Sequence, residues 1–567
     1  MSPVDARALA SWLAAAGDDV LTRLLVERRV TAGVGWSDFF DAAEALLEPG
    51  SLVRAAGALE QHAVTALDVA VRDGSAVTDP DALRRLVDAA LVTPTGVPYA
   101  AVAAAWPSLP RADLLEVPAG DAESDAEVAE RVFAAIASLA DVLHLTLPAP
   151  LGRTGAGTLG AVDRRRLVEA GAVVDADAAD DLLAIGAQAG LLRASDREWR
   201  VTGEAVAWLE LGTAARWVRV ADGLRSMLPA GLRTTTGGWV PVARWGEAYP
   251  LDPHWPDRAL RLARQWRRWG IVDAAGRAPG WAEGFAAGGE IETDRLQQLL
   301  PGEVDRIFLQ NDLSAIAPGP LEPAIDARLR RIARRETRAQ ASTYRFSSES
   351  LGAALAAGED ADELAAFLAS ISLTGLPQPL AYELERAATR HGGIRVGADA
   401  AGGTEVTASD PTLLDTLVVD QALRPLGLVP GDGRLVSRAT VETVFWMLAD
   451  ARYPAVAVDL DGRPRLLQRA RLADEPRPEA DPYTGLIARL RDAHENDADA
   501  AWLGRELEQA VRGRTVLEVS VRLPDGGTRA FVLEATGLGG GRLRGRDRAA
   551  DVERTLPVAS IVSVQAV

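Results

Sequence analysis

The sequence contains no lysine and no cysteine, and histidine occurs 5 times in 567 residues. Without cysteine there is no disulfide framework, no thiolate nucleophile and no Cys-ligated zinc or iron–sulfur site. Without lysine, the P-loop cation that reaches the β- and γ-phosphates is missing, as are the strand lysine of kinases and the amine of Schiff-base catalysis. His62, His144, His254, His391 and His494 lack metal-ligand spacing. No serine stands in a GxSxG elbow. The chain is therefore expected to be non-enzymatic, with no metal and no other cofactor. No stretch reaches the roughly 18–20 apolar residues of a membrane span. The N-terminal stretch sets Asp5, Arg7, Asp18 and Asp19 around a short amphipathic segment, unlike a signal peptide. A cytoplasmic protein without a membrane partner is expected.

What is present is arginine, which supplies all 61 basic residues against 80 acidic ones, for a net charge of −19. GC-rich coding accounts for the choice of arginine over lysine. The negative balance excludes a uniformly basic nucleic-acid surface, so any phosphate contact has to be local. A chain of this length needs about four domains, and 48% hydrophobic residues are enough to give each one a core.

The fold class expected is multidomain α+β, with a mainly helical N-terminal half, a central α+β domain and a small C-terminal β-barrel. Residues 1–150 show helical apolar spacing in "ALASWLAAAGDDVLTRLL" and "SLVRAAGALEQHAVTALDVAV". Over 151–230, two helices end at Gly190 and are followed by two short strand-like stretches around "SDRE", the order of a winged helix. Residues 231–303 repeat the theme: a helix to Gly270, an apolar pair, "DAAGR" and Trp281, a second winged-helix-like segment. Residues 304–462 read as one α+β unit, with Asp360 and Glu363 placed for a helix N-terminus. A linker follows at 463–482. Residues 483–567 read as two helices and an SH3- or Sm-like five-strand barrel, with a hairpin turn at "PDGG".

Residues 310–396 carry a resemblance. Gln310, Asp312, Tyr344, Arg345, Phe346, Ser350, Leu351, Ala354, Gly358, Leu364, Leu368, Ser372, Pro377, Pro379, Gly393 and "IRV" follow in order and spacing the N-terminal domain of XPB-type superfamily-two helicases. The similarity continues less sharply to about residue 462. Together with the N-terminal pattern, it resembles actinobacterial helicase-associated proteins that carry this domain without a motor. This chain likewise has no GK(S/T) and no DEAH or DEVH box. The tail resembles a WYL-type barrel through "GGGRLRG", with no Trp or Tyr in that stretch. The resemblance implies a role beside an XPB-type helicase, in DNA repair or a related DNA transaction.

Two arginine series are candidates for nucleic-acid contact. Arg328, Arg331, Arg335 and Arg338 recur at steps of three and four, as do Arg258, Arg261, Arg264 and Arg268, so each would share one helical face. The alternative for both is a solvated face paired with acids elsewhere in the fold. "GRTGAGTLG" at 152–160 superficially resembles a phosphate loop, but it lacks lysine and a preceding strand. Three functions stay open: a DNA-binding module or helicase partner engaging double-stranded or damaged DNA, an interaction scaffold without DNA affinity, and a winged-helix transcriptional regulator with a sensing barrel.

Overall fold

The computed structural model describes residues 3–113, 115–338, 341–399, 402–463, 465, 467, 472–475, 481–523, 527–548 and 550–566. Among them the apolar side chains gather into separate cores over residues 6–106, 117–300, 307–384, 394–467 and 507–564.

The first core is all helical. Asp38 caps the Phe39–Leu46 helix by accepting from the backbone of Phe40 and Asp41. Asp79, followed by Pro80, does the same for Pro80–Asp88. Arg28, just after the Asp18–Glu27 helix, is fully buried, and its guanidinium donates to the carbonyls of Leu46, Ser51 and Ala89 at 3.1, 2.8 and 2.7 Å. It thereby satisfies C-terminal carbonyls that two helices leave open. Burial lowers its pKa to about 9.

The second core begins with the helix Asp125–Thr146, which starts at a Ser124/Glu127 capping box. Strand β1 (Leu151–Gly152), the helices Ala161–Glu169 and Ala176–Gln188, and strands β2 (Leu192–Ser195) and β3 (Glu198–Val201) follow. The strands form an antiparallel sheet of order β1-β3-β2. Helices Thr213–Ser226 and Trp255–Trp269 complete the layer. Gly190 and Gly270 end their helices at φ 77° and 71°, where a side chain would be strained. A ladder forms only after Gly190. After Gly270 a turn closes from Asp273 N to the Arg277 carbonyl at 2.7 Å, without strands, and the second winged-helix-like segment has no sheet among the described residues.

The expected boundaries at 150 and 230 fall inside this second core. Gly270 lies so close to the Asp125–Thr146 helix that an added Cβ would meet Val132 at 2.4 Å. Trp217 and Trp269 donate their indole N–H groups to each other's carbonyls, at 2.7 and 3.3 Å.

Residues 304–462, read as one α+β unit, carry their described strands in two sheets. Strands β4 (Phe308–Leu309), β5 (Ser314–Ala317), β6 (Arg334–Arg338) and β7 (Ser342–Arg345) form a sheet of order β4-β5-β7-β6. Strands β8 (Ile394–Ala398), β9 (Thr404–Ala408), β10 (Val429–Gly431), β11 (Arg434–Ser437) and β12 (Ala455–Ala457) form another, of order β10-β11-β9-β8-β12. "RIFLQNDLSAI" and "IRVG" thus belong to different sheets with different cores. Asp360 does cap the Ala361–Ile371 helix, accepting from the backbone of Asp362 and Glu363.

At the C-terminus a single helix, Thr484–Gly513, replaces the two expected. Its start packs Tyr483, Leu486, Ile487 and Leu490 into the first core, and its end packs Leu507 and Ala510 against the C-terminal sheet. That sheet comprises β13 (Val516–Arg522), β14 (Thr528–Gly539), β15 (Arg542–Asp547), β16 (Val552–Pro557) and β17 (Ile561–Ala566), in the order β16-β15-β14-β13-β17. No ladder joins β16 to β17 among the described residues, so the sheet expected as a closed or nearly closed barrel is not closed there. Most of the "PDGG" turn lies outside the described residues. The 463–482 segment is anchored where it is described: Leu467 is buried in the fourth core and the Ala473 N–H donates to the Val201 carbonyl of β3 at 2.8 Å. Among the described residues no helix is long and apolar enough to cross a membrane.

Candidate nucleic-acid interface

The two arginine series meet different fates. The helix expected to carry Arg328, Arg331, Arg335 and Arg338 runs from Pro323 to Ile332 and stops there, because Ala333 is extended (φ −143°, ψ 148°). Arg335 and Arg338 lie on β6, paired with Tyr344 and Ser342 of β7. The single helical face is therefore corrected to a helix and a strand. Arg328 and Arg331 both pair with Glu359, at 2.9 and 3.2 Å, and the Arg328 guanidinium stands 4.4 Å from the Phe367 ring centre. Arg335 contacts Asp141 of the Asp125–Thr146 helix, and Arg330 Nη1 reaches the same carboxylate at 2.6 Å. The side chain of Arg338 lies outside the described residues.

The Asp141 cluster is a largely buried polar network where the second and third cores adjoin. Asp326 takes an ion pair from Arg330 at 2.8 Å and a hydrogen bond from the Tyr344 hydroxyl at 2.6 Å. Burial alone would raise the Asp326 carboxyl, but Arg330 and the Tyr344 hydrogen bond outweigh it, and its pKa is lowered. Nearby His144 is pushed down to about 3, by burial first and then by the Arg330 and Arg216 cations, against opposition from Asp326 and Asp141. This network joins the second and third cores, with Arg330 and Arg335 both paired to Asp141.

The second series sits as expected on one helix, Trp255–Trp269. Its C-terminal half turns inward: Arg264 and Arg268 pair with the buried Asp181 of the Ala176–Gln188 helix, at 2.8 and 3.1 Å. Its N-terminal half faces an open cleft of about 800 Å³ between the first and second cores. Arg258 lies there, paired with Asp252 at 2.6 Å and with its guanidinium 5.0 Å from the centre of the Trp255 ring. Arg261 is exposed beside it and forms no ion pair among the described residues.

The opposite wall supplies two arginines that the sequence did not flag. Arg29 follows the Asp18–Glu27 helix at φ 52°, a conformation uncommon for a residue with a side chain. Arg54 is set by donation from its Nε to the Arg28 carbonyl at 2.9 Å. Neither shows periodicity, and no local signal could have joined them to Arg261. The acids of the cleft are occupied: Glu27 by Arg85 and Asp252 by Arg258. On a chain of net charge −19 the cleft is locally cationic.

Backbone bonds tie the two walls together beside the cleft. The Gln61 N–H donates to the Ala248 carbonyl at 2.9 Å, the Ala112 N–H to that of Pro250 at 2.8 Å, and Leu251 is buried in the first core. The other helix–turn–helix is poorly suited to phosphate. Its second helix, Ala176–Gln188, carries Asp177, Asp180 and Asp181. Arg193 of the following hairpin donates to the Asp474 carbonyl at 2.5 Å, so that edge is covered by the chain itself. The glycine-rich 152–160 segment forms a turn, with Gly157 N donating to the Thr154 carbonyl at 2.9 Å. No group of three or more potential metal ligands occurs among the described residues.

Residues 307–430 match the family model described as "Helicase conserved C-terminal domain". The match covers under a quarter of the chain and crosses both sheets of the 304–462 region, ending in β10. The resemblance drawn from Gln310, Tyr344 and their neighbours lies over the same stretch, so a helicase-related segment is present there. No match to the chain was found among curated proteins.

Proposed function

We propose that this chain is a non-catalytic, helicase-associated protein that binds DNA in a DNA repair or related transaction, with contact centred on the cleft lined by Arg258 and Arg261. One observation carries the reading: Arg29, Arg54, Arg258 and Arg261 converge on one cleft of a chain whose net charge is −19. Guanidinium groups suit phosphate, because they remain charged and present planar, bidentate donors. The helicase-related match gives such contact a context, and an XPB-type helicase is the proposed partner. The helix–turn–helix with its three-stranded sheet supports a winged-helix unit, here in a packing role. The strand order of the C-terminal sheet supports an SH3- or Sm-like arrangement.

The scaffold alternative draws on the pairing of the other series: Arg328, Arg331 and Arg335 are all engaged by acids within the chain. The regulator reading has less support, since the "GGGRLRG" stretch lacks the Trp and Tyr of the motif it resembles. A salt titration of DNA binding tests the proposal. Binding through the cleft should weaken with salt, at a slope of log K against log salt of about −0.7 to −0.9 per phosphate contacted. Absence of binding at low salt would favour the scaffold.

A further inference from the structure

We infer that the cleft takes the backbone of a single nucleic-acid strand and excludes a duplex. This rests on the nucleic-acid reading of the same site and goes further, because it names the structure bound. A helix that reads duplex DNA must project into a major groove about 12 Å wide and 8.5 Å deep. The face of the Trp255–Trp269 helix that carries Arg258 and Arg261 does not project: Arg29 and Arg54 stand across the cleft from it.

The opposing walls cannot swing aside without breaking the Gln61–Ala248 and Ala112–Pro250 hydrogen bonds and withdrawing Leu251 from the first core. A volume of about 800 Å³ falls in the range of sites that enclose compact ligands, about 300–1,000 Å³, and is suited to a few nucleotides rather than a helical turn. Arginines on both walls reach a strand from two sides, which a duplex lying across the opening would not allow. The Arg258 guanidinium, held over the Trp255 ring and fixed by Asp252, adds a planar cationic surface on which a base can stack without sequence preference.

The test uses the full-length protein and fluorescence anisotropy at low salt, with labelled oligodeoxythymidine and a duplex of equal length. The single strand should bind about tenfold or more tightly than the duplex. The Arg29→Ala/Arg261→Ala variant should lose about tenfold in single-strand affinity, with a salt slope shallower by roughly 1.4, two contacts at about 0.7 each. The Arg29→Gln/Arg261→Gln variant, which keeps side-chain length, should show the same loss with an unchanged circular dichroism spectrum. Duplex binding equal to or tighter than single-strand binding, and weakened by these variants, would overturn the inference while leaving the nucleic-acid reading intact. Displacement by thymidine monophosphate at concentrations comparable to the oligonucleotide would also overturn it, as the mark of a nucleotide pocket. Binding of neither DNA would overturn the nucleic-acid reading itself.

Discussion

Arg330 Nη1 lies 2.6 Å from Asp141 Oδ1, joining residues 189 apart in sequence across the junction of the second and third cores. Arg335 contacts the same carboxylate, and the three side chains are 13%, 15% and 6% exposed for Arg330, Arg335 and Asp141. Removing the shared anion would leave two buried cations without it, and breaking a buried pair in this way costs about 3–5 kcal/mol. Asp141→Ala should lower the urea midpoint accordingly. A loss under about 1 kcal/mol would show that the cluster does not hold the two cores together.

His144, beside the same cluster, gives a pH signature. Its pKa is about 3 in the folded chain against an ordinary value of about 6.5. Between those values the unfolded chain holds a proton that the folded chain does not. His144 therefore contributes stability fully above about pH 6.5, and this is lost as pH falls toward 3, at no more than about 1.4 kcal/mol per pH unit. Urea midpoints measured between about pH 4.5 and 7.5 should fall less steeply on acidification in His144→Leu than in the wild type. Parallel profiles would contradict the assignment.

The Thr484–Gly513 helix makes truncation position-dependent. Residues 483–567 were read as a unit of their own after a linker, but Tyr483, Leu486, Ile487 and Leu490 are buried in the first core. Each contributes about 1.5–3 kcal/mol through burial. A chain ending at residue 482 should be destabilised and prone to aggregate, whereas one ending at 494 should stay soluble with a stable N-terminal region. Equal behaviour of the two would mean that the helix start does not complete that core.

Within the second arginine series, Arg264→Ala/Arg268→Ala should leave the DNA affinity and salt slope unchanged while lowering stability, because Asp181 is 1% exposed and would lose both partners. A shallower salt slope in that variant would extend the interface beyond the cleft.

The legible and the hidden parts of the site divide on physical grounds. The Trp255–Trp269 helix could be read because its signals are local: Pro256 in the first turn, arginine at steps of three and four, and Gly270 at the end. The first series was misread because nothing between Arg331 and Arg338 breaks a helix; the extended β6 is imposed by pairing with β7. Its neutralisation by Asp141 and Glu359 depends on tertiary contacts that spacing does not encode. The separate sheets of β5 and β8 were hidden likewise, since strand patterns give location without partners. Arg29 and Arg54 reach the cleft through a left-handed residue and one hydrogen bond to a backbone carbonyl, and periodicity records neither.

The central claim is that the cleft, and not the 328–338 segment, holds the nucleic acid. Photo-crosslinking of a bromouracil-substituted single strand to the full-length protein, followed by peptide mapping, tests it directly. Adducts should fall on peptides containing Arg29, Arg54 and residues 254–261 from the two walls. Adducts confined to residues 328–338 or to the C-terminal sheet would contradict the account.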